Sequence, residues 1–292
     1  MFLVPIYVVT STMTEQGNSL NETMQQPATP VKQRIVLGVE YNGSAFSGYQ
    51  MQRHGTRTVQ DELEKALSQV ADQPVRVTCA GRTDTGVHAT GQVVHFDSSV
   101  KRELKAWMLG GNTSLPGDVS IHWAREVDDS FSARFSAVSR SYRYLLFNRR
   151  TRPAVLQHNV AWLYERLDAE AMHEATQALL GEHDFSAFRS SRCQANHAVR
   201  TMQNISVTRK GNYVILDIQA NAFLHHMVRN IMGTLLVIGR GEQPVEWMQE
   251  ILTAGDRKQA GMTASPAGLY LVNVEYPEHY GLPESGWLPE IA

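Results

Sequence analysis

Residues 75–96 read VRVTCAGRTDTGVHATGQVVHF, and they decide the fold because they encode two strands around one irregular loop. Alternating apolar side chains predict the strands over 75–79 and 92–96. The segment between them, 81–88, has two glycines around a Thr-Asp-Thr core, so it cannot be regular structure throughout. We therefore expect a loop that is held between two strands and that presents Asp84.

The sequence before this stretch predicts one more strand and a helix. Residues 35–41 alternate apolar and other side chains, and Asn42-Gly43 then marks a turn. Thr58 is a plausible N-cap for a helix through Ala71, because apolar residues recur along one stripe of that segment.

The second half of the chain repeats this order of elements. The pattern predicts a strand over 141–147, a helix that is capped by Asp168 and ends near Gly181, and a hairpin of strands 205–208 and 213–218. Two helices, 224–238 and 244–255, and a strand over 269–274 follow. The order indicates an α+β fold: two similar ferredoxin-like (RRM-like) halves, with antiparallel sheets joined around a central active-site cleft. The expected domains are a disordered extension over 1–32, an N-terminal domain over 33–136, a C-terminal domain over 137–280 and a tail over 281–292.

Composition places the chain among globular proteins that fold in a reducing compartment. Of its 292 residues, 42% are hydrophobic and 19% are charged, which excludes disordered and fibrous classes. The two cysteines, Cys79 and Cys193, form no Cys-x-x-Cys pair, so neither a disulfide framework nor a cysteine zinc site is indicated. The apolar opening, residues 1–9, lacks a basic flank and is shorter than a membrane span. We therefore expect a cytoplasmic protein with no membrane segment.

Two acid-free stretches, 130–164 and 185–216, concentrate arginines in a chain whose formal net charge is only −2. A protein that coats nucleic acid indiscriminately needs many phosphate contacts, so any RNA site must be a local patch. In the first stretch aromatic residues interleave with the arginines, a mixture that suits phosphate contacts and base stacking. A solvated basic face is the alternative interpretation.

Asp84 is the residue whose placement most favours chemistry. An aspartate is ordinarily ionised at neutral pH, so it can act as a nucleophile without a neighbouring base. It needs a cation to stay ionised when substrate covers it, and Arg82 and Arg229 are the candidates. The structural alternative is an Asx-turn in which Asp84 hydrogen-bonds its own loop.

Seven segments of the chain resemble the tRNA pseudouridine synthase A (TruA) family, in the family's order and approximate spacing. The segment GRTDTGVHA, 81–89, is similar to the family signature G-R-T-D-x-G-V-H-A. The resemblance covers roughly residues 33–280. It departs at Tyr49, Thr85 and Val199, where the family commonly has tryptophan, alanine and an aromatic residue. The other six segments are 41–50, 131–135, 142–144, 185–189, 226–230 and 268–271.

The resemblance implies that the chain isomerises uridine to pseudouridine with Asp84 as the nucleophile. Asp84 would either add to the ring at C6 or displace the base at C1′, and the sequence leaves both routes open. The nucleotide must be flipped out of its stack, which costs a few kcal/mol. By resemblance, Arg82 would support the flipped state, Tyr142 would stack on the uracil and aid proton transfer, Arg229 would pair with Asp84, and Leu269 would line the pocket. From pattern alone, strand core is the better interpretation of Tyr142 and Leu269, and only the resemblance reverses it.

The resemblance also implies the substrate and the assembly. The substrate would be uridines at positions 38–40 in the anticodon arm of tRNA, and the family acts as homodimers that bind tRNA across both subunits. No cofactor and no metal ion is implied. The residues that would grip the RNA are Phe131, Ser132, Ala133, Arg134 and Phe135 in one segment and Arg192, Cys193, Gln194, Ala195 and Asn196 in another.

Three other interpretations start from the same residues. Asp84-Thr85-Gly86 is the triplet of aspartic proteases, but those enzymes need a second such aspartate and the chain has no second D-T-G or D-S-G. A non-catalytic RNA-binding module would need only the arginines and aromatics. A metalloenzyme could recruit His88, His95, His225 and His226, but no H-E-x-x-H spacing occurs. We expect the adjacent His225 and His226 to point to different faces of a helix and to serve core packing or RNA contact.

Overall fold

The computed structural model describes residues 32–52 and 55–283, all of which belong to one compact unit. The expected extension over 1–32, apart from Lys32, and the tail beyond residue 283 lie outside the described residues. The described strands are β1 Gln33–Tyr41, β2 Thr78–Cys79, β3 His88–Ser98, β4 Val119–Val127, β5 Ser139–Asn148, β6 Ala161–Leu163, β7 Gly181–Asp184, β8 Val199–Lys210, β9 Tyr213–Ala220 and β10 Leu269–Glu275. The α-helices are α1 Val59–Ala71, α2 Gly111–Ser114, α3 Ala169–Thr176, α4 Met227–Gly239 and α5 Trp247–Ala254.

The ten described strands form one mixed sheet rather than two antiparallel sheets. Its order is β4-β1-β3-β10-β5-β9-β8-β7, with β2 also paired to β3 and β6 to β5. All pairs are antiparallel except β10 with β3 and β5 with β6. The last strand, β10, therefore lies between the first half of the chain and the second and connects them into one sheet.

A glycine permits this connection. A Cβ added at Gly91, on β3, would lie 2.2 Å from the backbone oxygen of Val272 on β10. That separation is far below van der Waals contact, so only glycine allows the two backbones to approach this closely.

Both predicted helix caps are confirmed. The Thr58 side chain accepts a hydrogen bond from the Asp61 N–H at the start of α1. The Asp168 carboxylate accepts bonds from the N–H groups of Glu170 and Ala171, each at 3.0 Å. These bonds satisfy backbone donors that have no partner within a helix, so they fix where α1 and α3 begin.

Several predicted boundaries were wrong. β2 is confined to Thr78–Cys79, α3 ends at Thr176 and continues as a short 3₁₀ turn, and α4 begins at Met227 rather than at residue 224. β4, β6, β7 and a π-helical turn over Ala106–Gly110 were not predicted. β4 pairs with β1 from Arg34 to Tyr41 and forms one end of the sheet.

The helices pack on one face of the sheet. Alternate residues of β5 face two different apolar clusters: Tyr144 and Leu146 belong to the large core under the helices, and Leu145 and Phe147 belong to a smaller one. This division follows from the two-residue period of a strand. In the described part of the chain no helix is both long and apolar enough to cross a membrane.

Candidate active site

Asp84 lies in the loop between β2 and β3, and hydrogen bonds hold this loop on both sides of it. The Tyr49 N–H donates to the Thr83 oxygen at 3.0 Å, and the Gln92 side-chain amide donates to the Gly81 oxygen at 2.7 Å. The Val87 N–H donates to the backbone oxygen of Asp84 at 3.1 Å, so the backbone turns at Asp84 itself. The side chain keeps 23% of its surface exposed and is therefore accessible.

Arg229, on the first turn of α4, supplies a positive charge to this carboxylate. Its Nη1 donates to Asp84 Oδ2 at 3.2 Å, and its side chain is only 14% exposed. Its Nε donates to the Ala264 oxygen at 2.8 Å, and the Ala264 N–H donates to the Arg229 oxygen. Because the guanidinium is fixed at a second point, it presents its charge to Asp84 in one orientation.

Two histidines that the sequence did not assign to the site also contact Asp84. Nε2 of His225 lies 3.2 Å from Oδ1, and Nε2 of His226 lies 3.3 Å from Oδ2. The expectation that they point to different faces of a helix was wrong, because both precede Met227, where α4 begins. His226 has a left-handed backbone, φ 64°, and the two imidazole rings lie 4.0 Å apart beside the carboxylate.

Burial lowers the pKa of His226 below its ordinary value, although the nearby charge of Asp84 acts in the opposite direction. His225, Arg229 and Arg257 add to the lowering. The imidazole of His226 is therefore neutral over more of the physiological pH range than an exposed histidine.

Asp84, His225 and His226 are the described residues whose side chains could together hold a metal ion. One ligand atom from each lies within 4.8 Å of the others. Neither histidine was identified from ligand spacing, because the two are adjacent and the carboxylate comes from a distant loop. The signal available in the sequence was the segment 226–230, which begins with His226 and also contains Arg229.

Arg82, the other candidate cation, is exposed and bonds a different residue. Its Nη1 lies 3.5 Å from the side-chain oxygen of Gln194. Among the described residues, the cationic and imidazole groups within 4 Å of the Asp84 carboxylate are Arg229, His225 and His226. The structure thus brings Arg229 to Asp84 and brings Arg82 to the segment 192–196.

Tyr142 and Leu269 lie on the adjacent strands β5 and β10, and both are mostly buried. The Tyr142 ring meets Phe223 edge-on at a centroid separation of 5.0 Å. Burial raises the pKa of Tyr142; the charge of Arg140 opposes this rise and that of Asp84 adds to it. The hydroxyl therefore stays protonated at neutral pH.

The two segments expected to grip RNA differ in exposure. In the first, Phe131 and Ala133 are completely buried, whereas Phe135 is 80% exposed with the Arg134 guanidinium over its ring. In the second, Arg192, Gln194 and Asn196 are exposed and Cys193 and Ala195 are partly buried. Arg189 holds the second segment in place through bonds to the backbone oxygens of Cys193 and Ala195.

The environment of Asp84 does not match that of an aspartic protease. Such a site needs a second carboxylate that shares a proton with the first. In the described region, the groups in contact with the Asp84 carboxylate are a guanidinium and two imidazoles, and an arginine cation stabilises an ionised carboxylate rather than a proton-sharing pair.

Comparison with known proteins gives a consistent result. The family described as tRNA pseudouridine synthase matches residues 38–136 and 175–277, which include Asp84, His225, His226 and Arg229. A tRNA pseudouridine synthase A of Aeromonas hydrophila is 54% identical over 263 residues, covering 89% of this chain and 97% of the relative. Proteins of the same name from Vibrio campbellii and Tolumonas auensis are 56% and 57% identical; each alignment covers 86% of this chain, and 94% and 96% of the relatives. The chain belongs to the tRNA pseudouridine synthase A family.

Proposed function

We propose that this protein isomerises uridine to pseudouridine in tRNA, with Asp84 as the nucleophile. The observation that carries the proposal is the pairing of an accessible carboxylate with the fixed guanidinium of Arg229, 3.2 Å away. In the reaction the bond from C1′ to N1 breaks, a bond from C1′ to C5 forms, C5 loses its proton, and N1 takes up a proton. No electrons are gained or lost, so the reaction needs no redox cofactor, and we assign none and no catalytic metal.

Arg229 acts by charge and position. When RNA covers the site, water no longer screens the carboxylate, and a carboxylate without a counter-charge would be costly to bury. Arg229 is already largely buried and is held by Ala264, so it supplies that counter-charge without reorganising.

Arg82 and Tyr142 would act on the flipped nucleotide. The exposed Arg82 guanidinium can reach RNA that approaches the loop of Asp84, and we assign it support of the flipped state. We assign the Tyr142 ring to stacking on the uracil and Leu269 to lining the pocket. We also assign Tyr142 a part in the removal of the proton from C5.

The exposed groups of 131–135 and 192–196 would grip the RNA. Arg134, Phe135 and Arg192 offer charge and an aromatic face, whereas the buried Phe131 and Ala133 would support the backbone beneath them. We propose the anticodon arm, with uridines at positions 38–40, as the target. The family resemblance supports this choice of target.

We further propose two ferredoxin-like halves, 33–136 and 137–280, with the active-site cleft where they meet, flanked by an extension over 1–32 and a tail over 281–292. Asp84 from the first half and Arg229 from the second support this division. We propose a cytoplasmic homodimer. The family resemblance supports the homodimer.

Tritium release from tRNA labelled as [5-³H]uridine tests the proposal, because the C5 hydrogen leaves only when C5 forms the new bond. The wild type should release tritium, and Asp84→Asn should bind tRNA without release because it lacks the nucleophile. Asp72→Asn is the matched control: Asp72 is exposed at the end of α1 with φ 53°, a conformation that asparagine also adopts. Release by Asp84→Asn at the wild-type rate would refute the assignment of the nucleophile.

A further inference from the structure

The side chains of Asp84, His225 and His226 converge on one point beside the carboxylate. The nitrogen-to-oxygen separations are 3.2 Å for His225 and 3.3 Å for His226, and one ligand atom from each of the three lies within 4.8 Å of the others. Between 23% and 35% of each side chain is exposed, so an ion can reach them from solvent.

Each imidazole nitrogen lies about as far from its own carboxylate oxygen as neighbouring metal ligands lie from one another, and the three candidate ligand atoms are within 4.8 Å of one another. Around a tetrahedral zinc ion with bonds of about 2.0–2.1 Å, neighbouring ligand atoms lie about 3.3 Å apart. Of the three groups that contact the carboxylate, Arg229 is the one with the alignment of a hydrogen bond.

We propose that Asp84, His225 and His226 form an inhibitory binding site for a divalent transition-metal ion such as Zn²⁺. Imidazole together with carboxylate suits zinc and its neighbours in the transition series, whereas Mg²⁺ prefers oxygen ligands alone. The site is therefore selective for zinc-like ions over the Mg²⁺ that accompanies tRNA.

Arg229 limits how tightly the ion binds. Its guanidinium already lies 3.2 Å from Oδ2 and is fixed by Ala264, so a bound dication would meet a fixed positive charge. The ion is thus bound reversibly and is a poor candidate for a structural component. The inhibitory effect of the ion rests on the proposed function. A metal ion bound to Asp84 blocks the carboxylate that acts as the nucleophile.

Direct binding can be measured without reference to activity. Untagged full-length protein is titrated with Co²⁺, whose visible absorption reports nitrogen and oxygen ligands, and Zn²⁺ is then added as a competitor. We expect one Co²⁺ per chain, displaced by Zn²⁺, and affinity at least about tenfold weaker in His226→Asn and in His225→Asn. Asparagine at 226 tolerates the left-handed backbone, so the variant keeps its local conformation.

His158→Asn is the matched control, since His158 is exposed in the segment before β6. Its Co²⁺ binding should equal that of the wild type. Absence of a Co²⁺ spectrum in the wild type would overturn the proposal. So would equal binding by the wild type and both site variants, or equal weakening in His158→Asn.

The inhibition is measured by tritium release at constant Mg²⁺. Zn²⁺ should stop release by the wild type, EDTA in slight excess over Zn²⁺ should restore it, and saturating tRNA should raise the Zn²⁺ concentration required. Activity that is insensitive to Zn²⁺ at concentrations that displace Co²⁺ would overturn the inhibitory role. Failure of the proposed function is distinguishable, because it would abolish release without Zn²⁺ and leave the Co²⁺ titration unchanged.

Discussion

The carboxylate of Asp84 receives its partners from one short stretch of chain, residues 225–229, which leads into α4. His226 has a left-handed backbone where the chain enters α4, and both imidazoles and Arg229 contact the carboxylate there. A conformation of this kind costs of order 1–3 kcal/mol for most residues, and such costs concentrate at functional sites. At the residue scale, the site therefore depends on how α4 begins.

Arg229→Lys should lower kcat by at least about tenfold, equivalent to about 1.4 kcal/mol of transition-state stabilisation. Lysine keeps the charge but loses the bond from Nε to the Ala264 oxygen, so the charge is no longer fixed beside Asp84. Single-turnover kinetics with excess enzyme would measure the chemical step. Arg240→Lys, at an exposed ion pair with Glu242, is the control and should leave kcat unchanged. If Arg229→Lys also left kcat unchanged, the fixed position of the charge beside Asp84 would be unimportant for the reaction.

Removal of metal should leave activity intact. Enzyme treated with EDTA and then transferred to buffer that contains Mg²⁺ but no transition metal should release tritium at the untreated rate. The reason is that Arg229 already neutralises the carboxylate, so the nucleophile needs no ion. Loss of activity on this treatment, recovered by adding Zn²⁺, would contradict both the proposed mechanism and the inhibitory site.

At the element scale, α4 and the loop over 255–265 act as one unit. A Cβ added at Gly233 would lie 1.7 Å from the backbone oxygen of Met262, so helix and loop are in close backbone contact. Asn230 strengthens this contact: its side-chain oxygen accepts bonds from Arg257 and Thr263, and its amide donates to the Phe188 oxygen. The orientation of Arg229 depends on this packing, because Ala264 is in the same loop.

Gly233→Ala should destabilise the protein by about 1–3 kcal/mol and reduce activity as well. The methyl group would push the loop away from α4 and would shift Ala264, which positions Arg229. Urea unfolding measures the stability. Gly117→Ala is the matched control, since an added Cβ there has no neighbour within 4 Å. Equal stability of the two variants would show that the loop yields freely.

Sequence patterns predicted the helices and strands that have a recognisable cap or a clear apolar period of their own. The caps at Thr58 and Asp168 were readable because a short polar side chain precedes an apolar stripe. β6 and β7 have three and four residues, too few to show a period, and they exist because neighbouring strands pair with them. β4 did carry a period, with Val119, Ile121 and Trp123 buried, and it was overlooked.

Sequence reasoning identified Asp84 and its partner Arg229 but not the two histidines. The pairing of Asp84 with Arg229 followed from charge and from the family resemblance. The positions of His225 and His226 depend on one left-handed residue at the start of a helix, and no periodic pattern encodes that conformation.

At the scale of the whole molecule, the site lies where the two parts of the chain meet in one sheet. Asp84 follows β2, whereas Arg229 belongs to α4, 145 residues later. Two histidines, one buried and one partly buried, are a second feature of the whole fold. His88 Nδ1 accepts the Gly43 N–H at 3.1 Å, and His95 Nδ1 accepts the Ala133 N–H at 3.0 Å.

Stability should fall as the pH drops below about 6.5, the ordinary pKa of histidine. Burial lowers the pKa of both His88 and His95, so the unfolded chain takes up protons at a higher pH than the folded one. The unfolded state then binds more protons, and the free energy of unfolding decreases on acidification. Protonation also removes the lone pairs that accept the Gly43 and Ala133 N–H groups.

The midpoint of urea unfolding should therefore be lower at pH 5.5 than at pH 7.5. His88→Gln should show a smaller difference between the two pH values, whatever its own stability, and the exposed His158→Gln should show the wild-type difference. A midpoint that rises on acidification would contradict the sign of this argument.

β10 connects the two parts of the sheet, and it is the last described strand along the chain. The ribosome synthesises the N-terminal part of a protein first. Asp84 therefore emerges early and Arg229 later, and the strand that holds their two regions in one sheet emerges after both. During synthesis, all the reactive groups exist in the growing polypeptide before it can align them. Synthesis of β10 thus comes after synthesis of the reactive groups, and a nascent chain that does not yet include β10 should be unable to modify the tRNAs that surround it.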